Sequence, residues 1–418
     1  MWKAFVSMAI GILSVSAVFA ADTAPPTAAP QESAGKWFAA KPADGAFADP
    51  FFAAPGGAPE VDPTKPGSGP SPSDTVLPKC APFRAERFWL ATDYYRAYGQ
   101  GTLVPALVTS APNGTAAGTA GALGQPTTST LFGGRRELNE SRPGIRATAG
   151  LWLTDDSRFG VDGTFLYVGN ASASFARATA ANGAILARPV NFGSTGMALA
   201  VPVGTLGAGS ISAHAASAII GGDANIRYGL TTSERGRLDL VLGYRYLRLR
   251  DTVDVASLQT FPGFPQLDTA VSDSFRTLNQ FHGGQIGLGG THRIFDRLTL
   301  TTKATVALGA TISDVDISGS TVSPTGYSPT GLLTATSNSL NTRDRYFSVI
   351  PEGTVKLGWD FTDRVRVNAG YSILYWNQVR RAADQIDTTI MATGRPRFPN
   401  DSTDYWIQGW TVGLDLRY

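Results

Sequence analysis

The chain closes on Trp410-Thr411-Val412-Gly413-Leu414-Asp415-Leu416-Arg417-Tyr418. Counting back from the end, Tyr418, Leu416, Leu414, Val412 and Trp410 are apolar, with Arg417, Asp415, Gly413 and Thr411 between them. A period of two belongs to a β-strand with one apolar and one polar face. A last strand of this kind, ending on an aromatic residue, resembles the signal by which outer-membrane barrels are recognised for assembly. Such a strand must pair with the first one, because an open edge inside a bilayer finds no water for its N–H and C=O groups.

The same alternation runs upstream. Leu238, Leu240, Leu242, Tyr244 and Tyr246 alternate with Arg237, Asp239, Gly243 and Arg245. Val365, Val367, Ala369, Tyr371 and Ile373 alternate with Arg366, Asn368, Gly370 and Ser372. Such segments run about ten residues or more, the length a tilted transmembrane strand requires, where soluble strands usually stop near five or six. Ten segments are expected, at 87–96, 141–153, 159–169, 212–230, 237–250, 274–293, 298–313, 345–361, 365–377 and 403–418. Short connections such as Phe295-Asp296-Arg297 and Phe361-Thr362-Asp363-Arg364 alternate with long ones over roughly 97–142, 170–211, 252–274, 314–344 and 378–403. Short periplasmic turns opposite long external loops are the asymmetry of outer-membrane barrels. The expected fold is all-β: a transmembrane antiparallel up-and-down β-barrel of ten strands over 85–418. Twelve strands is the alternative, because 212–230 and 274–293 are Gly- and Ala-rich and poorly patterned.

Composition agrees with a lipid-facing surface. Charged residues make up 16% of the 418, against about a quarter in soluble domains. One Cys excludes a disulfide framework and a cysteine-ligated metal site. A net charge of +2 leaves no nucleic-acid footprint. Beyond the extreme N-terminus no apolar run is long enough for a helical span.

That N-terminus has the plan of an export signal: Met1-Trp2-Lys3, an apolar run from Ala4 to Val18, and Val18-Phe19-Ala20 as the cleavage site. Residues 21–84 then read as a Pro/Ala-rich periplasmic linker, with 12 of the 26 prolines between 21 and 80. Cys80 lies far from the cleavage point, which argues against lipidation.

Catalytic groups are sparse. His214, His282 and His292 are separated in the chain, Ser212 near His214 is a weak local cue, and no Asp-x-Asp accompanies an Asp-x-His pair. No enzyme, metal or cofactor is expected. The inward charges are more informative. Arg146, Asp162, Arg227, Asp239, Arg245, Lys303, Glu352, Lys356, Asp360 and Arg366 alternate with lipid-facing positions. Each would be costly away from water unless paired, so they either fill the lumen as ion pairs or line a path that screens solutes. Trp152, Trp359, Trp376, Tyr371, Tyr375, Trp406 and Trp410 are expected in interfacial girdles, with sugar stacking around Trp376 and Trp406 as the sharper alternative.

Several stretches resemble the seventh of the β-barrel porin families, described from planctomycete bacteria. They are Arg87-Phe88-Trp89-Leu90, Leu131-Phe132-Gly133-Gly134, Leu186-Ala187-Arg188-Pro189-Val190 and Gly243-Tyr244-Arg245-Tyr246-Leu247. The series continues with Asn279-Gln280-Phe281-His282-Gly283-Gly284-Gln285, Gly370 to Trp376, Asp384-Gln385-Ile386-Asp387 and Tyr405 to Gly409. The resemblance implies a bacterial outer-membrane barrel and a porin that passes small hydrophilic solutes passively; it brings no catalytic or ligand residues. The alternative is a closed structural or surface-binding barrel whose loops or linker meet partners or the cell wall. Outer-membrane lipid and the barrel-assembly machinery are the expected partners, and the expected state is a monomer.

Overall fold

The computed structural model describes residues 87–418 apart from 117, 180–182, 194–196, 204–207, 262 and 392. The leader, the linker and Cys80 lie outside the described residues. Ten long strands form one closed antiparallel sheet: β1 (Phe88–Gly99), β2 (Ser141–Trp152), β3 (Phe159–Thr179), β4 (Ala208–Thr232), β5 (Gly236–Thr260), β6 (Thr269–Phe295), β7 (Leu298–Ser323), β8 (Leu340–Asp360), β9 (Val365–Val379) and β10 (Thr403–Arg417). Each pairs with its sequence neighbours, and β10 returns to β1 with Leu416 opposite Leu90 and Val412 opposite Tyr94. The closing strand therefore has the partner that the sequence demands. One extra short strand, Gly326–Ser328, pairs with the end of β7. Among the described residues there is no α-helix.

The strands are longer than a bilayer needs. β6 has 27 residues; at about 3.4 Å per residue and a tilt near 40° it rises about 70 Å, against a hydrocarbon core of about 30 Å. The outward face records where the lipid stops. On β5 it is apolar from Leu238 to Tyr246, about 21 Å of rise on the same figures, and then turns polar at Arg248, Arg250, Thr252 and Asp254. On β7 the change comes between Ile312 and Asp314, and on β8 between Phe347 and Arg345.

The inward face changes in the opposite sense. Below that level it carries Arg237, Asp239 and Arg245 on β5; above it come Leu247, Leu249, Val253 and Val255. In the lower half of the barrel polar groups point in and apolar groups point out. In the upper half the arrangement is that of a soluble β-protein.

The upper lumen is not empty. Loop strands Val108–Ala111, Ser129–Phe132, Ile185–Phe192, Met197–Val203 and Thr389–Ile390 form a second sheet. Their apolar side chains, Leu107, Val108, Phe132, Leu186 and Val190 among them, share one core with the inward Ile211, Val253, Val255, Phe275, Val315 and Ile317 of the walls. Gly133 turns the chain in this plug with φ of 79°, and a Cβ there would collide with the carbonyl oxygen of Pro105.

The expected loops 170–211, 252–274 and 314–344 are thus largely strand, because β3 to β8 continue beyond the lipid. Trp152 and Trp376 are also corrected: both are buried inside the barrel and belong to no girdle. Trp359 and Trp410 are exposed on the outward face, as are Val412, Leu414, Leu416 and Tyr418.

The two faces should respond differently to charge. Leu414→Arg on the apolar band is expected to cost about 2–4 kcal/mol. Thr252→Arg, outward but above the band, is expected to stay within about 0.5 kcal/mol. Urea unfolding in lipid vesicles measures both, and equal costs would remove the distinction between the halves.

Candidate functional site

The lumen is layered. Nearest the start of β1, the end of β10 and the short turns lies a charged layer. Parity alone places its residues, since odd positions of β1, β4 to β7 and β10 and even positions of β2, β3, β8 and β9 point inward. Arg146 Nη2 meets Glu352 Oε1 across the barrel at 2.6 Å, and Arg245 binds the other oxygen of the same carboxylate. Arg227 pairs with Asp162 and, at 3.3 Å, with Asp239, which also receives Arg237 at 2.6 Å. Arg366 and Arg417 both reach Asp360, at 2.7 and 2.6 Å. Lys303 reaches Asp223 at 3.5 Å, and Lys356 pairs with Asp93. The ten inward charges named from the sequence thus meet in this layer. Asp93, Asp223, Arg237, Asp415 and Arg417 join them; strand parity marks these five too, although the sequence reading did not single them out.

The lowest part of this layer encloses a cavity of about 210 Å³. The Arg237 guanidinium lies 3.7 Å from the ring centroid of Trp152, and that of Arg227 lies 5.6 Å from Trp89, so the indoles hold two of its cations in place.

Above the charges an apolar layer crosses the barrel. Tyr95 of β1, Leu166 of β3, Ile219 of β4, Leu247 of β5, Phe281 of β6, Ala307 of β7, Ile350 of β8, Leu374 of β9 and Ile407 of β10 belong to one buried cluster. Trp376 is 0% exposed at its centre; it meets Phe281 edge-on with centroids 6.2 Å apart and donates from Nε1 to Thr311 Oγ1 at 3.0 Å. On β2 the corresponding space is taken by Arg142, which donates to the Ser217 carbonyl at 2.9 Å and to the Tyr405 hydroxyl at 3.1 Å.

A third layer pins the plug. Asp273 of β6 is a hub: it pairs with Arg188 of the loop sheet at 2.5 Å and accepts from Thr334 Oγ1 at 2.6 Å and from the backbone N–H of Leu333 at 2.9 Å. Both members of the Arg188–Asp273 pair are fully buried. Asn279 clasps Arg380 by two bonds, its Nδ2 donating to the carbonyl at 2.8 Å and its Oδ1 accepting from the N–H at 2.9 Å. Arg381 pairs with buried Asp251. No alternation could point to these groups, because one partner of each pair sits on a loop. The signal available was the resemblance, since Arg188 and Asn279 both lie in the stretches that carry it.

Further out, Asp387 holds the loop between β9 and β10. It accepts from Arg395 Nη1 at 2.6 Å, from the Arg397 N–H at 2.8 Å and from the Thr389 N–H at 3.0 Å. Burial works against its charge, but those N–H groups and the Arg395 guanidinium prevail and hold its pKa below 3.8. A carboxyl depressed in the folded state adds stability above its unfolded pKa and loses it as pH falls through the folded value. The Tm difference between wild type and Asp387→Asn is therefore expected to favour wild type at pH 6 and to close as pH falls below about 4; a difference constant with pH would remove the clamp.

The histidines lie elsewhere. His214 bonds Ser174 at 2.9 Å and His282 bonds Tyr244 at 2.6 Å, both on the outward face. Neither reaches the lumen layers.

Residues 89–418 match a family described as "Putative beta barrel porin-7". The chain belongs to this family. No curated protein matches the sequence. Among solved structures it is similar to the outer-membrane protease OmpT of Escherichia coli, with 11% identity over 79% of this chain and 97% of that one, TM-score 0.40. It is also similar to the monoaromatic hydrocarbon channel CymD (9%, 80% and 89%, TM-score 0.27) and to a FadL homologue of Pseudomonas aeruginosa (7%, 80% and 90%, TM-score 0.22). At these scores the likenesses bear on neither activity nor substrate. The family itself is one of porin-like outer-membrane barrels.

Proposed function

We propose that the chain is an outer-membrane barrel with a closed lumen, which acts as a structural or surface-binding element. The observation that carries this reading is the apolar layer built from the walls themselves, with Trp376 at its centre. Water does not cross a packed layer of aromatic and aliphatic side chains, and hydrated ions cross it less readily still. The surface left for partners is the upper half of the barrel, polar outside and capped by folded loops.

Passive passage of small hydrophilic solutes, the reading that goes with the word porin in the family's description, is the second reading. It is favoured by the charged layer of both signs below the apolar one. Planar bilayers separate the two. Purified full-length protein is expected to insert and remain silent; uniform conductance steps would establish the porin reading in its place.

A further inference from the structure

The charged layer is not symmetrical about its cavity. Seven of the side chains that line it are cationic and two, Asp239 and Asp415, are anionic. Arg146, Arg227, Arg237 and Arg366 take part, together with Lys303, Lys356 and Arg417. Most of the carboxylates that answer them are set back. Asp93, Asp162, Asp223, Asp360 and Glu352 all pair with these cations, and none of the five lines the cavity.

The seven cations therefore face the space, while five of the seven acids face the walls. An ammonium has three donors, and the one carboxylate Lys303 pairs with stands at 3.5 Å. The lysine side chains keep 20% and 14% of their surface open at Lys303 and Lys356, whereas the Asp223 and Asp93 side chains keep 6% and 0%. Arg227 and Arg237 are held by Trp89 and Trp152 and Arg366 by bidentate Asp360, so these three lose little side-chain entropy on meeting a ligand. The cavity lies at the end where β1 starts, β10 ends and the short turns sit, beside Trp152 and Arg237, which immediately flank two of those turns. Above it the apolar layer shuts the lumen, so the cavity is a blind vestibule.

We propose that this vestibule binds a small oxyanion, a phosphate or carboxylate group, from the side of the membrane where the short turns lie. A cavity of about 210 Å³ has room for one compact anion with part of its hydration. Hydrogen bonds from cationic donors to such oxygens are the strong class. The low dielectric of the barrel interior adds to them.

The test uses full-length protein in detergent at low ionic strength, titrated calorimetrically with inorganic phosphate and, separately, with citrate. Saturable binding of either is expected, and the preferred probe tells phosphate from carboxylate. Lys303→Gln with Lys356→Gln is expected to weaken it tenfold or more, and Arg343→Gln at the far end to leave it unchanged. Heat-modifiable migration checks that each variant is folded. Should the double variant fail to fold, Thr148→Asp, which adds a carboxylate to the cavity lining, is expected to abolish binding. No saturable binding of either anion, or equal binding by wild type and the folded vestibule variant, would overturn the proposal.

Discussion

Asp273→Ala is expected to destabilise the barrel by about 3–5 kcal/mol, the usual cost of stripping one partner from a buried ion pair. The substitution strands the guanidinium of Arg188, which is 1% exposed, and removes the acceptor for Leu333 N–H and Thr334 Oγ1. The damage should be directional. The loop sheet around Ile185–Phe192 and the turn at 331–334 lose their common anchor, while the lower barrel keeps its own ion pairs. Limited proteolysis should therefore cut between β3 and β4 and between β7 and β8, leaving a protected core of membrane strands. Asp273→Asn, which keeps an acceptor and loses the charge, is expected to fall between wild type and Ala. A variant as stable and as protease-resistant as wild type would show that the plug is held by its apolar core alone.

The second large effect concerns the apolar layer. Phe281→Ala and Trp376→Ala are each expected to cost about 3–5 kcal/mol, through lost transfer energy and the cavity left behind. The rings touch, so the pair should not be additive: the second removal takes away a contact already lost. The double variant joins the space above to the vestibule below through the region where Trp376 had bonded Thr311. In planar bilayers it is expected to show intermittent conductance where wild type is silent. A double variant that remains folded and silent would place the barrier in the loop plug.

The lower barrel was open to sequence reasoning because its two solvents lie on opposite faces. Lipid outside and polar groups inside write a period of two into Leu238 to Tyr246, and the same parity locates Arg245 and Glu352. The strands were expected to stop near 169, 250 and 313, yet they continue to Thr179, Thr260 and Ser323. The reason is visible on β5. The outward even positions are apolar up to Tyr246, and from Leu247 the apolar residues Leu247, Leu249, Val253 and Val255 take the odd ones, so the pattern breaks while the strand does not. A change of surroundings reads as the end of an element. Trp376 went astray for a related reason: an aromatic near a strand end fits a girdle by composition, and only its parity with Arg366 and Ser372 marks it as inward. The plug was legible only in part, because Arg188 and Asp273 are 85 residues apart and nothing local joins them.

The reversal of the two faces along each strand also fixes depth. A uniformly patterned barrel could slide along the bilayer normal at little cost, since each two-residue step would replace like with like. Here a shift inward drags Arg248, Arg250 and Arg345 into hydrocarbon, each at a cost that climbs from about 0–1 kcal/mol at the interface to about 2–4 at the midplane. A shift outward lifts Leu240, Leu242 and Tyr244 into water, at about 25 cal/mol for each Å² of apolar surface exposed. Penalties on both sides make a shallow well whose floor is the level between Tyr246 and Arg248. The strands thus carry their own draught mark, and the capped half of the barrel is always presented at the same height above the membrane.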